Sequence, residues 1–277
     1  MKIQSILLAI LCFTFGIASA QKEMVTLDKQ DFSIGETVKV HSKVLHEDRI
    51  LNIYLPDSYR QDSLKKYPVI YLLDGSRDED FIHISGLVQF GSFSWINMIP
   101  ETIVVGISNV DRKRDFTFPT SIEQDQIDFP SSGQSKNFIT FIEKELQPYI
   151  DLSYRTTPTK TIIGQSLGGL LATEILFKKP TLFDHYIIVS PSLWWDDESL
   201  LQLSPKRKAA EKAIYIAVGR EGEIMERTAT ELHQKLKGAV SGTTPLYFEF
   251  FEDKNHGDAL HHAVYNAFVK LFQQEGE

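Results

Sequence analysis

Ser166 lies in Gly164-Gln165-Ser166-Leu167-Gly168, between the apolar run Thr161-Ile162-Ile163 and an Ala- and Leu-rich stretch from Leu167 to Phe177. A Gly-x-Ser-x-Gly turn between a buried strand and a helix is a nucleophile elbow, with the serine exposed at its apex. The turn holds the serine at a strained backbone angle, and neighbouring chains pass too close for a Cβ at the flanking positions. Five residues are a short pattern, and a glycine-rich turn with an idle serine has the same letters. The strand before it and the helix after it favour the elbow.

A hydroxyl is a weak nucleophile until a base takes its proton. His256, in Asp253-Lys254-Asn255-His256-Gly257, follows the late apolar run Leu246 to Phe251, which puts it at a strand exit. The other histidines fit less well. His41, His46 and His83 precede the serine, His185 precedes a strand, and His233, His261 and His262 fall in helical stretches. Nucleophile first and base last is the chain order of an α/β-hydrolase arrangement. A third group, a carboxylate, is needed to orient the imidazole and stabilise its charged form. The apolar run Ala213 to Val218 exits into Gly219-Arg220-Glu221-Gly222-Glu223, where Glu221 is nearer the strand end and Glu223 is the fallback. Either acid is also readable as a solvated loop residue.

An acyl oxyanion needs preorganised donors. The N–H of Leu167, at the start of the elbow helix, is one candidate. Leu73-Asp74-Gly75-Ser76, after an early apolar run, supplies the other, at Ser76 or its neighbour Gly75. Two further features read as substrate contacts. Trp194 and Trp195, in Ser190-Pro191-Ser192-Leu193-Trp194-Trp195, form either an aromatic wall or a core seal. Arg112-Lys113-Arg114 offers cations to an anionic substrate group or to solvent.

The elements that must position these residues alternate. Thr37 to Leu45 and Arg49 to Leu55 read as paired strands, with His46-Glu47-Asp48 at the turn. Pro68 to Leu73, Thr102 to Ile107, Thr161 to Ile163, Tyr186 to Val189, Ala213 to Val218 and Leu246 to Phe251 read as buried strands. Helical spacing covers Phe81 to Phe93, Lys136 to Tyr149, Leu167 to Phe177, Glu226 to Lys237 and Ala259 to Gln273. Asn109 to Gly133 is a long polar stretch of the kind that is functional or mobile. The pattern predicts an α/β fold, with a mostly parallel sheet covered by helices on both faces. Chemistry in such sheets sits at the carboxyl ends of the strands, where every candidate above falls.

The chain begins with Met1-Lys2, an apolar run from Ile3 to Ile17, and Ala18-Ser19-Ala20 before Gln21. This is the form of a secretory leader cleaved near Ala20, too short for a membrane span. Export to the periplasm or beyond follows as the expectation, with one domain over 21–277. The single cysteine, Cys12, lies within the leader, so the exported chain would fold without disulfides. The formal charge of −8 argues against a nucleic-acid partner and gives no sign of a stable membrane anchor.

Several phrases together resemble one family: HSKVLHEDRILNIYLPDSY, YPVIYLLDG, IVVGISNVDRKRDFTFP, IIGQSLGGLLA, SPSLWW and DKNHG. From about Val40 to the C-terminus the chain is similar to the esterase family of α/β hydrolases. That family also holds S-formylglutathione hydrolases, feruloyl esterases and mycolyltransferases. The strongest likeness is to the exported branch similar to periplasmic enterochelin esterases. The resemblance implies Ser166 as nucleophile, His256 as base and a loop acid near Glu221. It implies no cofactor and no protein-bound metal, because any iron belongs to a siderophore substrate. In siderophore esterases an arginine contacts the catecholates, which makes Arg114, and next Arg112, candidates here. One position departs: the family commonly has His where this chain has Gln165, so an altered pocket shape is expected. The expected function is hydrolysis of a small-molecule carboxylic ester through an acyl-enzyme, with a ferric siderophore as the favoured substrate. A feruloyl or acetyl carbohydrate ester, acyl transfer, and ligand capture without catalysis are the alternatives.

Overall fold

The structure is a computed structural model that describes residues 24–205, 213–239 and 244–273. The chain divides into two compact units, residues 1–33 and 34–277. In the first, the described residues 24–33 hold no helix or strand. The expected leader, Met1 to Ala20, lies outside the described residues. Among the described residues no helix is long and apolar enough to cross a membrane.

The second unit opens with an antiparallel hairpin, β1 (Glu36–Ser42) and β2 (Glu47–Tyr54). The single turn α1 (Ser58–Gln61) leads to β3 (Tyr67–Leu72), α2 (Phe81–Gly91) and β4 (Ile103–Ile107). Two short helices follow, α3 (Arg112–Phe116) and α4 (Glu123–Asp128). Next come α5 (Ser135–Phe141), a π-helical turn (Ile142–Leu146) and α6 (Gln147–Ser153), each running into the next. The remainder alternates: β5 (Thr156–Gln165), α7 (Leu167–Lys178), β6 (His185–Val189), α8 (Trp195–Gln202), β7 (Ala213–Gly219), α9 (Glu223–Ala239), β8 (Leu246–Phe251) and α10 (Ala259–Phe272).

Among the described residues these strands form one eight-stranded sheet in the order β1-β2-β4-β3-β5-β6-β7-β8. The β1–β2 and β2–β4 pairs are antiparallel and all others parallel, which is the α/β-hydrolase fold. The central strands are apolar at nearly every position because each face of the sheet is covered. Successive side chains serve opposite faces. Tyr71, Ile162 and Ile188 pack with α7, α9 and the α5–α6 stretch. Ile70, Leu72, Ile163, Ile187 and Val189 pack with α2 and α10. Helix α7 is buried from Gly168 to Phe177 and stops just before Pro180, which lacks the N–H a further turn requires.

The hairpin turn differs from the expected one. Ser42 pairs with Glu47, so the turn occupies residues 43–46 and His46 takes a positive φ of 56°. Glu47 and Asp48 are strand residues: Asp48 pairs with Lys39 and His41 on β1, and the Glu47 carboxylate is held by Arg49 and by Arg114, 67 residues on. The helical stretch expected from Lys136 to Tyr149 is broken by the π turn, just ahead of Pro148, which has no N–H for the carbonyl one turn earlier. The stretch Asn109 to Gly133 contains α3 and α4 and buries Phe116 and Phe118 in the core. Helix α8 has no counterpart in the sequence reading. Asp196, Asp197 and Glu198 within it have φ of 51°, 50° and 61°, a left-handed kink that no helical periodicity announces.

Candidate active site

Strand β5 ends at Gln165 and α7 starts at Leu167, leaving Ser166 alone between them at φ 58°, ψ −119°. That angle is costly for a residue with a Cβ and survives only where its surroundings over-determine it. Here the Ser166 N–H donates to Val189 O at 3.1 Å, and its carbonyl accepts from Leu170 and Ser192 N–H groups at 2.9 and 3.0 Å. A Cβ at Gly164 would lie 2.4 Å from Gly168 O, so the turn closes only with glycine there.

His256 lies in the turn between β8 and α10, and its Nδ1 is 2.5 Å from Glu221 Oε2. Glu221 lies in the exit loop of β7. Its side chain is 2% exposed, while that of His256 is 47% exposed. The other Glu221 oxygen accepts the Ser190 hydroxyl at 2.5 Å and the Gly219 N–H at 2.9 Å. Burial pushes the Glu221 carboxyl up, but the hydrogen bonds from His256, Ser190 and Gly219 outweigh it and hold it below the usual carboxylate value. An ionised carboxylate only accepts, so Nδ1 carries the imidazole proton and Nε2 is left as the acceptor. Among the described residues Nε2 has no hydrogen-bond partner. Glu223, the other acid in this loop, is the exposed first residue of α9, and no hydrogen bond joins it to His256.

Two bonds tie the loops together around the serine. Gln165 donates through Nε2 to the His256 carbonyl at 2.6 Å, and Arg220 N–H donates to Lys254 O at 2.7 Å. Gln165, expected only to alter pocket shape, therefore links the elbow to the loop that carries His256. Ser166 Oγ itself lies 3.2 Å from Ser192 Oγ. Among the described residues no hydrogen bond joins Ser166 Oγ to His256.

The oxyanion candidates separate. Leu167 carries the first N–H of α7, which has no intrahelical acceptor. Gly75 is corrected: its N–H is committed to Ile107 O at 3.1 Å, continuing the β3–β4 ladder. The Ser76 N–H is accepted at 3.1 Å by the carboxylate of exposed Glu79, so it serves a substrate only when Glu79 moves away. The loop itself lies against the elbow, since a Cβ at Gly168 would be 3.3 Å from Asp74 Oδ2.

The expected substrate contacts also divide. Arg112 forks onto Asp74, with Nε to Oδ1 at 2.6 Å and a terminal nitrogen to Oδ2 at 2.9 Å, and reaches Gln165 O at 3.3 Å. It stands beside the elbow with its side chain 34% exposed. Arg114 is corrected: its guanidinium is spent on Glu47, at 2.5 and 2.9 Å, and on Asp115, at 2.8 Å. These carboxylates also hold the fully buried Arg49, so Arg114 belongs to an ion-pair network under β2. Trp195 takes the core-seal reading of the two: it is buried, with Nε1 donating to Phe118 O at 2.8 Å. Trp194 is 38% exposed and rests edge-on against Trp195.

Sequence reasoning missed Ser190 and Ser192. Their signal was position, because two serines around a proline directly follow a parallel strand's carboxyl end, next to the elbow strand.

The chain is similar to known proteins over most of its length. The Esterase family model, described as "Putative esterase", matches residues 42–275. The chain is 30% identical over 234 residues to ferri-bacillibactin esterase BesA of Bacillus subtilis, covering 76% of this chain and 80% of that protein. Among solved structures, an IroE-like serine hydrolase from Shewanella oneidensis superposes with a TM-score of 0.77 at 30% identity, covering 86% of this chain and 80% of the other. The BES protein from Bacillus cereus superposes with a TM-score of 0.77 at 28% identity, over 90% and 99% of the two chains.

Proposed function

Because the chain belongs to the Esterase family and is a serine hydrolase acting on ester bonds, we propose that Ser166, His256 and Glu221 are its catalytic residues and that a ferric-siderophore ester is its substrate. The observation that carries the catalytic part is the 2.5 Å bond between His256 Nδ1 and buried Glu221, on two loops tied to each other and to the elbow. His256 Nε2 takes the Ser166 proton as Oγ bonds to the ester carbonyl carbon. Glu221 stays ionised and stabilises the imidazolium. The Leu167 N–H, at the positive end of α7, receives the developing oxyanion, with the Ser76 N–H as second donor once Glu79 turns out. His256 then protonates the departing alkoxide. Water repeats the sequence in reverse to free the acid and Ser166.

The likeness to ferri-bacillibactin esterase, over most of both chains, supports the substrate. The iron belongs to the substrate. Arg112, which reaches Gln165 O at 3.3 Å and is one-third exposed, is the cation assigned to an anionic siderophore. The leader-like start of the chain supports action in the periplasm or outside the cell.

The test compares hydrolysis of an iron-loaded siderophore lactone with that of methyl ferulate, in the native enzyme and in Ser166→Ala. Native enzyme is expected to prefer the siderophore, and Ser166→Ala to lose about 10⁴-fold or more in kcat on either ester. Equal turnover by Ser166→Ala would remove the nucleophile assignment, and a preference for methyl ferulate would remove the substrate. Failure of a fluorophosphonate to label the folded native protein would point to ligand capture without catalysis.

A further inference from the structure

We infer that Ser192 is an auxiliary hydrogen-bond donor to the nucleophile, its hydroxyl proton stabilising Ser166 Oγ as that oxygen loses its own. The inference rests on Ser166 being the nucleophile and extends the machinery by one residue.

Three observations carry it. First, Ser192 is placed by the backbone. Its N–H donates to Ser166 O at 3.0 Å, and Leu193 N–H reaches back to Pro191 O at 2.8 Å. Pro191 is pressed against the elbow helix so closely that a Cβ at Gly169 would lie 2.9 Å from its Cα. Second, Ser192 is 2% exposed, and its hydroxyl lies 3.2 Å from Ser166 Oγ with no other partner among the described residues. A buried hydroxyl left unpaired is costly, so this pairing is a fixed feature of the fold. Third, the two ends of the segment divide the labour. Ser190, two residues earlier, donates to Glu221 at 2.5 Å, so Ser190-Pro191-Ser192 touches both the acid and the nucleophile.

The direction of the Ser192 bond follows from proton count. Two hydroxyls share one contact, and either can donate at rest. During attack the Ser166 proton leaves for His256 Nε2 while Oγ bonds to the carbonyl carbon, so the only proton left between the two oxygens is that of Ser192. While the proton is leaving and before the Oγ–carbon bond is complete, Oγ carries more negative charge than the resting hydroxyl, and a hydrogen bond donated to it shortens and strengthens. The interaction is therefore worth more in the transition state than in the resting enzyme, which raises kcat and leaves substrate binding untouched. Deacylation runs through the same oxygen, as leaving group, so both half-reactions benefit. Ser192 keeps its proton throughout, and the charges that develop in the step are those of the His256 imidazolium and the substrate oxyanion.

Ser192→Ala removes the donor and leaves a space of one oxygen atom, so the fold is expected to survive with an unchanged Tm. With a short p-nitrophenyl ester, its kcat is expected to fall about tenfold, the usual worth of one hydrogen bond, while KM stays within about twofold. Fluorophosphonate labelling of Ser166 is expected to slow by a similar factor. Wild-type kcat with wild-type or faster labelling would overturn the proposal, because Ser192 would then be only a resting partner that attack must displace. A rise in KM at constant kcat would overturn it too. Ser166→Ala serves as the parallel control. If it still turns over, the nucleophile reading has failed, whereas an inactive Ser166→Ala beside a fully active Ser192→Ala sinks the Ser192 proposal alone.

Discussion

Strand β5 delivers Ser166 between two pairs of strand exits, and the two pairs are built differently. On one side, the loops after β7 and β8 bring Glu221 and His256 together around a dry carboxylate that three donors satisfy. On the other, the loops after β3 and β4 present ions that answer one another: Arg112 clamps Asp74, Asn109 bridges Asp74 and Glu79, and Glu79 covers the Ser76 N–H. The proton-handling side is assembled before substrate arrives. On the proposed oxyanion side the Ser76 N–H is engaged by Glu79, so in this reading that donor exchanges a carboxylate for the substrate oxygen. Proton transfer tolerates little misplacement, whereas an anion-binding site is readily held by an internal anion until a better one displaces it.

The comparison can be broken at its strongest point. Glu221→Gln keeps the size of the side chain but offers His256 an amide, which favours the wrong tautomer. kcat is expected to fall about 10³-fold, against no more than about twofold for Glu223→Gln. Similar losses in the two variants, measured on one ester, would dissolve the distinction between the acids. Arg114→Ala tests whether that arginine is structural. Its loss strips one cation from the Glu47–Asp115 network, and urea unfolding should show a drop of about 2 kcal/mol with kcat/KM nearly intact. A large fall in kcat/KM without destabilisation would return Arg114 to the substrate site.

Arg112→Ala sharpens the account of the oxyanion side. Asp74 then loses both of its guanidinium bonds against the elbow, and kcat/KM is expected to drop about tenfold, mostly in kcat. The smallest effect concerns Asp80. Burial, with Asp74 and Glu79 nearby, pushes its carboxyl up to about 6, against a partial pull downward from Arg112. A carboxyl raised in the folded state binds its proton more tightly there than when unfolded. Its contribution to stability is therefore full below the unfolded value near 3.8 and is lost as pH rises through about 6. Asp80→Asn should flatten that slope and stabilise the protein at pH 7 by about 1 kcal/mol, a figure reduced for the solvent the side chain keeps. An unchanged pH profile of Tm in the variant would show that this corner is better solvated than its geometry implies.

Much of the fold was legible because the parallel strands are apolar throughout and the helices between them repeat at helical spacing. The strand from Leu246 to Phe251 matches its expected limits, and α7 runs one residue past its own. The errors fall where the deciding partner is remote in sequence. The hairpin turn was misplaced by the strand pairing of Glu47, whose carboxylate holds Arg49 and Arg114. The left-handed kink in α8 coincides with Asp196 accepting hydrogen bonds from Ser121, some 75 residues away.

By itself, the amino-acid sequence determined that a serine stands at a strand-to-helix elbow, with a histidine and two acids on later strand exits. Local backbone sterics and apolar periodicity dictate that much, and both are written in neighbouring residues. Only the tertiary structure decided between the alternatives. It put Glu221 rather than Glu223 on His256, turned Arg114 and Trp195 inward, engaged the Gly75 and Ser76 N–H groups, and set the Ser192 hydroxyl against Ser166. Each of those outcomes depends on which hydrogen-bond partner arrives from another strand, and buried polar groups take the partner the packing provides.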